Sequence, residues 1–427
     1  MTSSSITAQY LARFAAVTAD GAAGEPRPLP LTGAQRRFVV MRSANRGGPP
    51  DVVPLYFRFP AGAVDEDRLR DAVGQVAAVH PALRLRAGIR RGIPVHLPGA
   101  PSPVVRRLVP RPDESAVGAL RRAIEGEREA TPLRLYLAAD TAGGEAVDAL
   151  ALVVDHAACD EQALAQITDD LAAAYAARST AADVPPARLR AADDAYRAAV
   201  ELQLDAELRA SDPGALAYWT RRLAGVHRPQ AAHAPGPTGR VAAADARLPG
   251  PPDAGAGSAF PALLDACAEA ARELYGEARR PLLGYPWGGR PYGAGDVLGC
   301  FLNTVAHLAP KKAAADVWWD DLDRADTPFD EVVRAVRAAG QDWYGELDGM
   351  VTLEDLGRRP PLRLGDAEGH EFHVPARPSQ APFAVSFSQG DGLLVRMVWR
   401  TDLFPEPRAM AAFGRLTGRL GTPMRAP

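Results

Sequence analysis

Val153-Val154-Asp155-His156-Ala157-Ala158-Cys159-Asp160-Glu161 is the stretch on which the reading of this chain turns. Ahead of it, Val147 to Val154 is an apolar run of the length of one buried strand. Behind it, Leu164, Ile167, Leu171 and Tyr175 recur at helical spacing, with Asp160 placed as the N-cap. His156 therefore stands at the carboxyl end of a strand, beside the free N–H groups of a helix start. Of the eight histidines it alone has that setting. On the residues alone it is either a hydrogen-bonded strand-end histidine or a group with chemistry to perform. His156 and Cys159 lie three apart with Asp155 and Asp160 beside them, a set that would suit a metal only with ligands from a second cluster, and the sequence offers none.

Outward from this stretch, the chain mixes strands and helices throughout. The alternation of Val53 to Phe59 predicts a strand, and Asp65 to Val79 sets Leu69, Ala72, Val73 and Val76 on one helical face before Pro81. Leu83 to Ile89 reads as a strand, Ala116 to Arg128 as a helix and Leu133 to Leu137 as a strand. Arg178 to Pro186 reads as a link between lobes, and Leu189 to Ala210 as a further helix. Residues 226 to 258, rich in Pro, Ala and Gly, read as a long surface loop. Pro261 to Tyr275 is helical, Pro281 to Tyr285 a short strand and Trp287 to Gly295 a glycine-rich turn. Phe383 to Ser388 and Leu393 to Arg400 form a hairpin across Gln389-Gly390-Asp391-Gly392, and Glu406 to Leu420 is the last helix. Expected divisions are a short helix or flexible tail over 1–28, an N-terminal lobe over 29–180 and a C-terminal lobe over 186–427.

Composition excludes several function classes. With 427 residues, 47% apolar and 24% charged, the chain is long enough and apolar enough for a sizeable core. A net charge of -3 argues against a nucleic-acid partner. Three scattered cysteines give neither a disulfide framework nor a zinc site, which suggests a reducing cytoplasm. No leader-like start and no 18-residue apolar run are present, so no membrane association is expected. Gly288-Gly289-Arg290-Pro291-Tyr292-Gly293-Ala294-Gly295 lacks the spacing of a dinucleotide loop, and neither a P-loop nor a GxSxG elbow occurs.

The motif stretch resembles the HHxxxDG signature of nonribosomal peptide synthetase condensation domains, which belong to the HxxxD acyltransferases of the chloramphenicol acetyltransferase-like superfamily. Further segments fall in that family's order. Leu31-Thr32-Gly33-Ala34-Gln35-Arg36-Arg37-Phe38 resembles the opening motif, and His80-Pro81-Ala82-Leu83-Arg84 the RHxxLR segment. Tyr218-Trp219 with Arg222-Leu223-Ala224-Gly225 is similar to YW...LxG. Leu298-Gly299-Cys300-Phe301-Leu302-Asn303-Thr304-Val305 is similar to IGxFVNT, and Thr327-Pro328-Phe329-Asp330 to the following PF segment. Ser386-Phe387-Ser388 and Thr401-Asp402-Leu403-Phe404 fit the closing strands, so the resemblance covers about 29 to 420.

The resemblance implies an α/β fold with mixed sheets: two acetyltransferase-like lobes in a V around a central tunnel. It implies a free-standing condensation enzyme, monomeric and with no bound cofactor. That enzyme would join an acyl or aminoacyl thioester, on the phosphopantetheine of a carrier protein, to an amine. The amine would belong to a small molecule or to a second carrier-bound amino acid. His156 would orient or deprotonate it, a contribution of roughly 10² to 10⁴ in rate. Asp160 would be structural, paired with Arg84, and Asn303 and Ser386 would line the tunnel. With no room for an adenylation domain, such an enzyme would act in trans. Two positions depart from the signature, Asp155 for its first histidine and Glu161 for its glycine. Strand alternation turns Asp155 away from the face of His156. Glu161 would either repel an oxyanion near the site or point to solvent in the first helical turn. Other functions for this fold are a catalytically silent domain that docks carriers or recruits partners, and an ester-forming acyltransferase.

Overall fold

Successive residues of a strand face opposite ways, and Val147–Asp155 uses both faces. Leu150, Leu152 and Val154 join one core while Ala149, Ala151 and Val153 join another, and all six are at most 2% exposed. A strand covered on both sides needs no polar alternation, which is why its sequence reads as an unbroken apolar run. The computed structural model describes residues 4–19, 28–44, 51–127, 131–140, 146–226, 240–249, 256–310, 314–374 and 381–421.

The chain divides into two compact units, and the division does not fall at the expected 180–186 link. The first unit comprises Met1–Ala206, Gly289–Leu302 and Pro360–Val374; the second comprises Glu207–Gly288, Asn303–Arg359 and Pro375–Pro427. The long helix Pro186–Ala210 lies almost wholly in the first unit, where Tyr196, Ala199, Val200 and Leu204 are part of the core. Two later segments also return to that unit, which residue spacing along the chain could not foretell.

In the first unit a six-stranded mixed sheet runs in the order Leu362–Leu364, Ala367–Phe372, Val52–Pro60, Val147–Asp155, Leu133–Asp140 and Val104–Leu108. Its final pair is parallel and the other pairs are antiparallel. On one face pack Glu66–Val79, Glu161–Ala177 and Pro186–Ala210; on the other lies Ala116–Gly126. Leu69, Ala72, Val73 and Val76 are buried as their spacing predicts, and Asp65 caps their helix by accepting from the N–H groups of Asp67 and Arg68. A β-carbon on Gly369 would lie 2.2 Å from the ring of Phe59, so this site admits no side chain. The expected strand over 83–89 is instead a turn at Pro81–Leu83 followed by a hairpin, Arg86–Arg90 with Ile93–Leu97. Within 1–28, Ile6–Ala19 is a helix rather than a tail; its Tyr10 hydroxyl accepts from Leu31 N–H at 2.7 Å and donates to Pro94 O at 3.0 Å.

The second unit holds another six-stranded mixed sheet, in the order Val241–Leu248, Leu393–Arg400, Phe383–Gln389, Gly349–Asp355, Leu282–Gly288 and Leu302–Leu308. The hairpin of Phe383–Gln389 with Leu393–Arg400 forms as its turn signals predict. Val241–Leu248 corrects the reading of 226–258 as one loop, since it pairs along its whole length with Leu393–Arg400. Its inward residues are Ala242, Ala244, Ala246 and Leu248, an alternation too weakly apolar to stand out. All six tryptophans, Trp219, Trp287, Trp318, Trp319, Trp343 and Trp399, belong to this unit. Among the described residues no helix is long and apolar enough to cross a membrane.

Candidate functional site

The central strand of the first unit ends at Asp155, and the chain turns there through a single 3-10 turn, His156–Ala158, before Asp160 starts the next helix. Backbone bonds fix where this turn begins: Asp155 N–H donates to Pro132 O at 2.8 Å and His156 N–H to Asp51 O at 3.1 Å. Asp155 Oδ1 accepts from Ala157 N–H at 2.9 Å, which caps the turn. His156 is half-buried. Its Nδ1 is buried without a hydrogen-bond partner among the described residues.

One face of the Gly33–Ala44 helix clamps the turn. Gln35, Phe38 and Arg42 stand at i, i+3 and i+7, a single helical stripe. Fully buried Gln35 donates from Nε2 to Ala157 O at 3.1 Å and to Tyr196 Oη at 3.2 Å, while its Oε1 accepts from Thr32 N–H at 3.0 Å. The Phe38 ring stacks on the His156 ring, with centroids 4.3 Å apart and planes 22° from parallel. Arg42 Nη2 lies 2.7 Å from both carboxylate oxygens of Asp155. The motif Leu31–Phe38 is thus the back wall of the histidine loop. Phe38 and Arg42 were not legible as site residues; their signal was only the three- and four-residue spacing along that helix.

The far end of the loop is held by Asp160, and not through Arg84 as expected. Arg84 bonds Asp193 at 2.5 Å and Ala78 O at 3.2 Å. Asp160 instead receives Arg290 Nη1 at 2.7 and 2.8 Å on its two oxygens, Phe301 N–H at 3.0 Å and Ala163 N–H at 3.0 Å. Arg290 comes from the glycine-rich turn, is further held by Val297 O at 3.0 Å, and lies over the Phe301 ring. Both side chains are nearly buried, 9% exposed for Asp160 and 11% for Arg290. The glycine-rich turn therefore delivers the counter-ion of the motif aspartate.

No family model matches this chain. Over 232 residues it is 34% identical to CymA, a probable non-canonical nonribosomal peptide synthetase of Salinispora arenicola (strain CNS-205); the match takes in 51% of this chain and 3% of that protein's length. Among solved structures, the X-domain from teicoplanin biosynthesis superposes with a TM-score of 0.69 at 18% identity, covering 95% of this chain and 97% of that one. The starter condensation domain of rhizomide synthetase RzmA gives 0.67 at 16% identity over 91% and 92%. The first condensation domain of the calcium-dependent antibiotic synthetase gives 0.64 at 18% identity over 94% and 98%. The fold is that of a condensation domain.

Within this condensation fold, Glu161 follows the cap Asp160 directly. It is exposed at the first position of the Glu161–Ala177 helix, where a carboxylate suits the positive helix start. His156, Asp155, Asp160 and Glu161 are brought together on one loop of the first unit, with Arg84 elsewhere in it. Asn303 and Ser386 belong to the second unit. The Asn303 amide is committed to backbone: Nδ2 donates to Ala325 O at 2.8 Å and Thr327 O at 2.7 Å, and Oδ1 accepts from Phe329 N–H at 3.1 Å. It thereby caps the Phe329–Ala338 helix, whose own cap position is Pro328. Ser386 Oγ accepts from Thr352 Oγ1 at 2.9 Å. The segment Tyr218-Trp219 with Arg222 has a structural role in the same unit. Tyr218 Oη, Arg222 and His307 Nδ1 all converge on fully buried Asp321 at 2.7 to 2.9 Å. Burial alone would raise the Asp321 carboxyl, but its bonds with His307 and Arg222 prevail and hold it below the usual carboxylate range. Among the described residues no group of three or more His, Cys, Asp or Glu side chains is placed to hold a metal.

Proposed function

We propose that this chain is an acyltransferase that forms an amide between a carrier-bound acyl or aminoacyl thioester and an amine, with His156 as the group that handles the proton. The amine attacks the thioester carbonyl, a C–N bond forms and the C–S bond breaks. The amine proton passes to the ring and then to the departing phosphopantetheine sulfur. A positioned imidazole contributes roughly 10² to 10⁴ to such a step, and holding both reactants together supplies much of the rest. Asp160, Arg290, Gln35 and Phe38 position the loop; Asn303 and Ser386 take no step in this chemistry.

The observation that supports this reading above the others is the His156 ring: held by a stacked phenyl ring and an anchored loop, with its buried Nδ1 bonded to no partner among the described residues. The decisive experiment mixes the protein with a loaded carrier protein and candidate amines and reads products by intact mass. Wild type should form amide and His156→Ala should lose about 10²-fold or more. Full product formation by His156→Ala would overturn the reading. A second reading, a domain that docks a carrier or an enzyme without catalysis, draws on the two departures at Asp155 and Glu161 and on the solved complex of the teicoplanin X-domain with OxyB. It gains support if wild type binds a loaded carrier yet forms no product with any amine.

A further inference from the structure

The structure offers one arrangement at the histidine loop that the signature does not contain. Where the signature has a first histidine, this chain has Asp155, a carboxylate directly preceding His156 and only 7% exposed. A buried carboxylate without a partner is costly and would bias a neighbouring imidazole toward its charged form. The Gly33–Ala44 helix supplies that partner, Arg42, 2.7 Å from both carboxylate oxygens. The same carboxylate caps the His156–Ala158 turn through Ala157 N–H, and the same helix carries Phe38 against the His156 ring. One helix therefore holds both the Asp155 carboxylate and the His156 ring of this loop.

We propose that Arg42 and Asp155 form a charge-neutral positioning pair that replaces the first histidine of the signature and sets the proton affinity of His156. The catalytic part of this inference rests on the acyltransferase reading; the electrostatic part does not. The charged groups on the elements meeting at the loop are Arg36, Arg37 and Arg42 on the clamping helix, Asp51 before the Val52–Pro60 strand, buried Arg134 on the neighbouring Leu133–Asp140 strand, Asp155 itself, Asp160 and Glu161, with Arg290 on Asp160. Arg36 is turned to Leu31 O and Thr7 Oγ1, and Asp160 is matched by Arg290. Asp155 is the carboxylate next to the histidine along the chain, and Arg42 is the cation bonded to it.

The test is the pH titration of the His156 ring by NMR, its resonance assigned by loss in His156→Ala, in four variants of the whole chain. Asp155→Asn keeps an oxygen for Ala157 N–H but leaves Arg42 unmatched, so the His156 midpoint should fall by about one pH unit. Arg42→Met leaves the carboxylate unmatched, and the midpoint should rise by about as much. The double variant Arg42→Met/Asp155→Asn should return to within about 0.3 unit of wild type, and Arg42→Lys, which keeps the sign of the charge, should shift it little. Single variants that leave the midpoint in place, or that move it in the same direction, would overturn the pair. The pH profile of kcat/KM separates the two readings. If its acid limb moves with the NMR midpoint, both stand. If the NMR shifts occur and the profile does not follow, the pair stands and the proton-handling role of His156 falls.

Discussion

Removing Asp160 tests the scaffold of the site more sharply than removing the histidine, because its cost can be worked out bond by bond. Asp160→Ala withdraws a carboxylate that accepts from Arg290 twice, from Phe301 N–H and from Ala163 N–H. The lost helix cap alone is worth about 1 kcal/mol. Leaving the 11%-exposed Arg290 guanidinium unmatched brings the total to about 3 to 5 kcal/mol. Against a typical stability of about 5 to 15 kcal/mol, that is enough to open the first unit at moderate urea. Arg290→Met should fall toward the lower end, since the carboxylate keeps two N–H donors, and the pair should show a coupling of about 2 kcal/mol in a double-mutant cycle. The same cycle between Asp160 and Arg84 should be additive within about 0.5 kcal/mol, because Arg84 is bonded to Asp193. The assay is urea unfolding read by hydrogen-exchange mass spectrometry on peptides of the Glu161–Ala177 helix. Coupling to Arg84 without coupling to Arg290, or an Asp160→Ala protein within about 0.5 kcal/mol of wild type, would refute the reasoning.

Two other perturbations have directions fixed by the structure. Asp321, held below the usual carboxylate range, contributes stability that is present above an ordinary unfolded-state value of about 4 and is lost as pH falls through its folded value. Thermal midpoints measured from pH 7 down to pH 2 should drop below about pH 4, and Asp321→Asn should be less stable at neutral pH with a shallower acid limb. Gly369→Ala should cost about 1 to 3 kcal/mol by driving a methyl group into the Phe59 ring; Phe59→Leu in the same chain should recover part of the loss, both read by thermal melting followed by circular dichroism.

Much of the first unit was legible because its cues are local. The cap at Asp65, the four buried residues of its helix, the central strand and the cap at Asp160 are all set by neighbours within a few positions, as periodicity and capping rules require. What escaped was set by distance along the chain. Arg290 lies 130 positions from Asp160, in a turn whose glycines suggested only phosphate chemistry to be ruled out, whereas Arg84 sat in a motif of its own. Val241–Leu248 escaped for a different reason. Alanines facing a core give little hydrophobic contrast with alanines facing away, so the strand takes its identity from the partner Leu393–Arg400 rather than from its own residues. The fold class, with its mixed sheets, followed from the ordered motifs; the boundary of the units did not, because Gly289–Leu302 and Pro360–Val374 return to a body already built.

That every tryptophan lies in the second unit makes the two halves of the chain optically distinct. Trp219, Trp343 and Trp399 are at most 2% exposed there, so their emission should be blue-shifted while that unit is folded and should move red only when it opens. The histidine loop sits in the half whose aromatic residues are tyrosines and phenylalanines, without tryptophan. A melting curve recorded by tryptophan emission is therefore a measurement of the second unit, and its separation from the far-ultraviolet curve measures the other. Any substitution at the histidine loop that opens only its own unit will pass unnoticed by the first probe and be plain in the second.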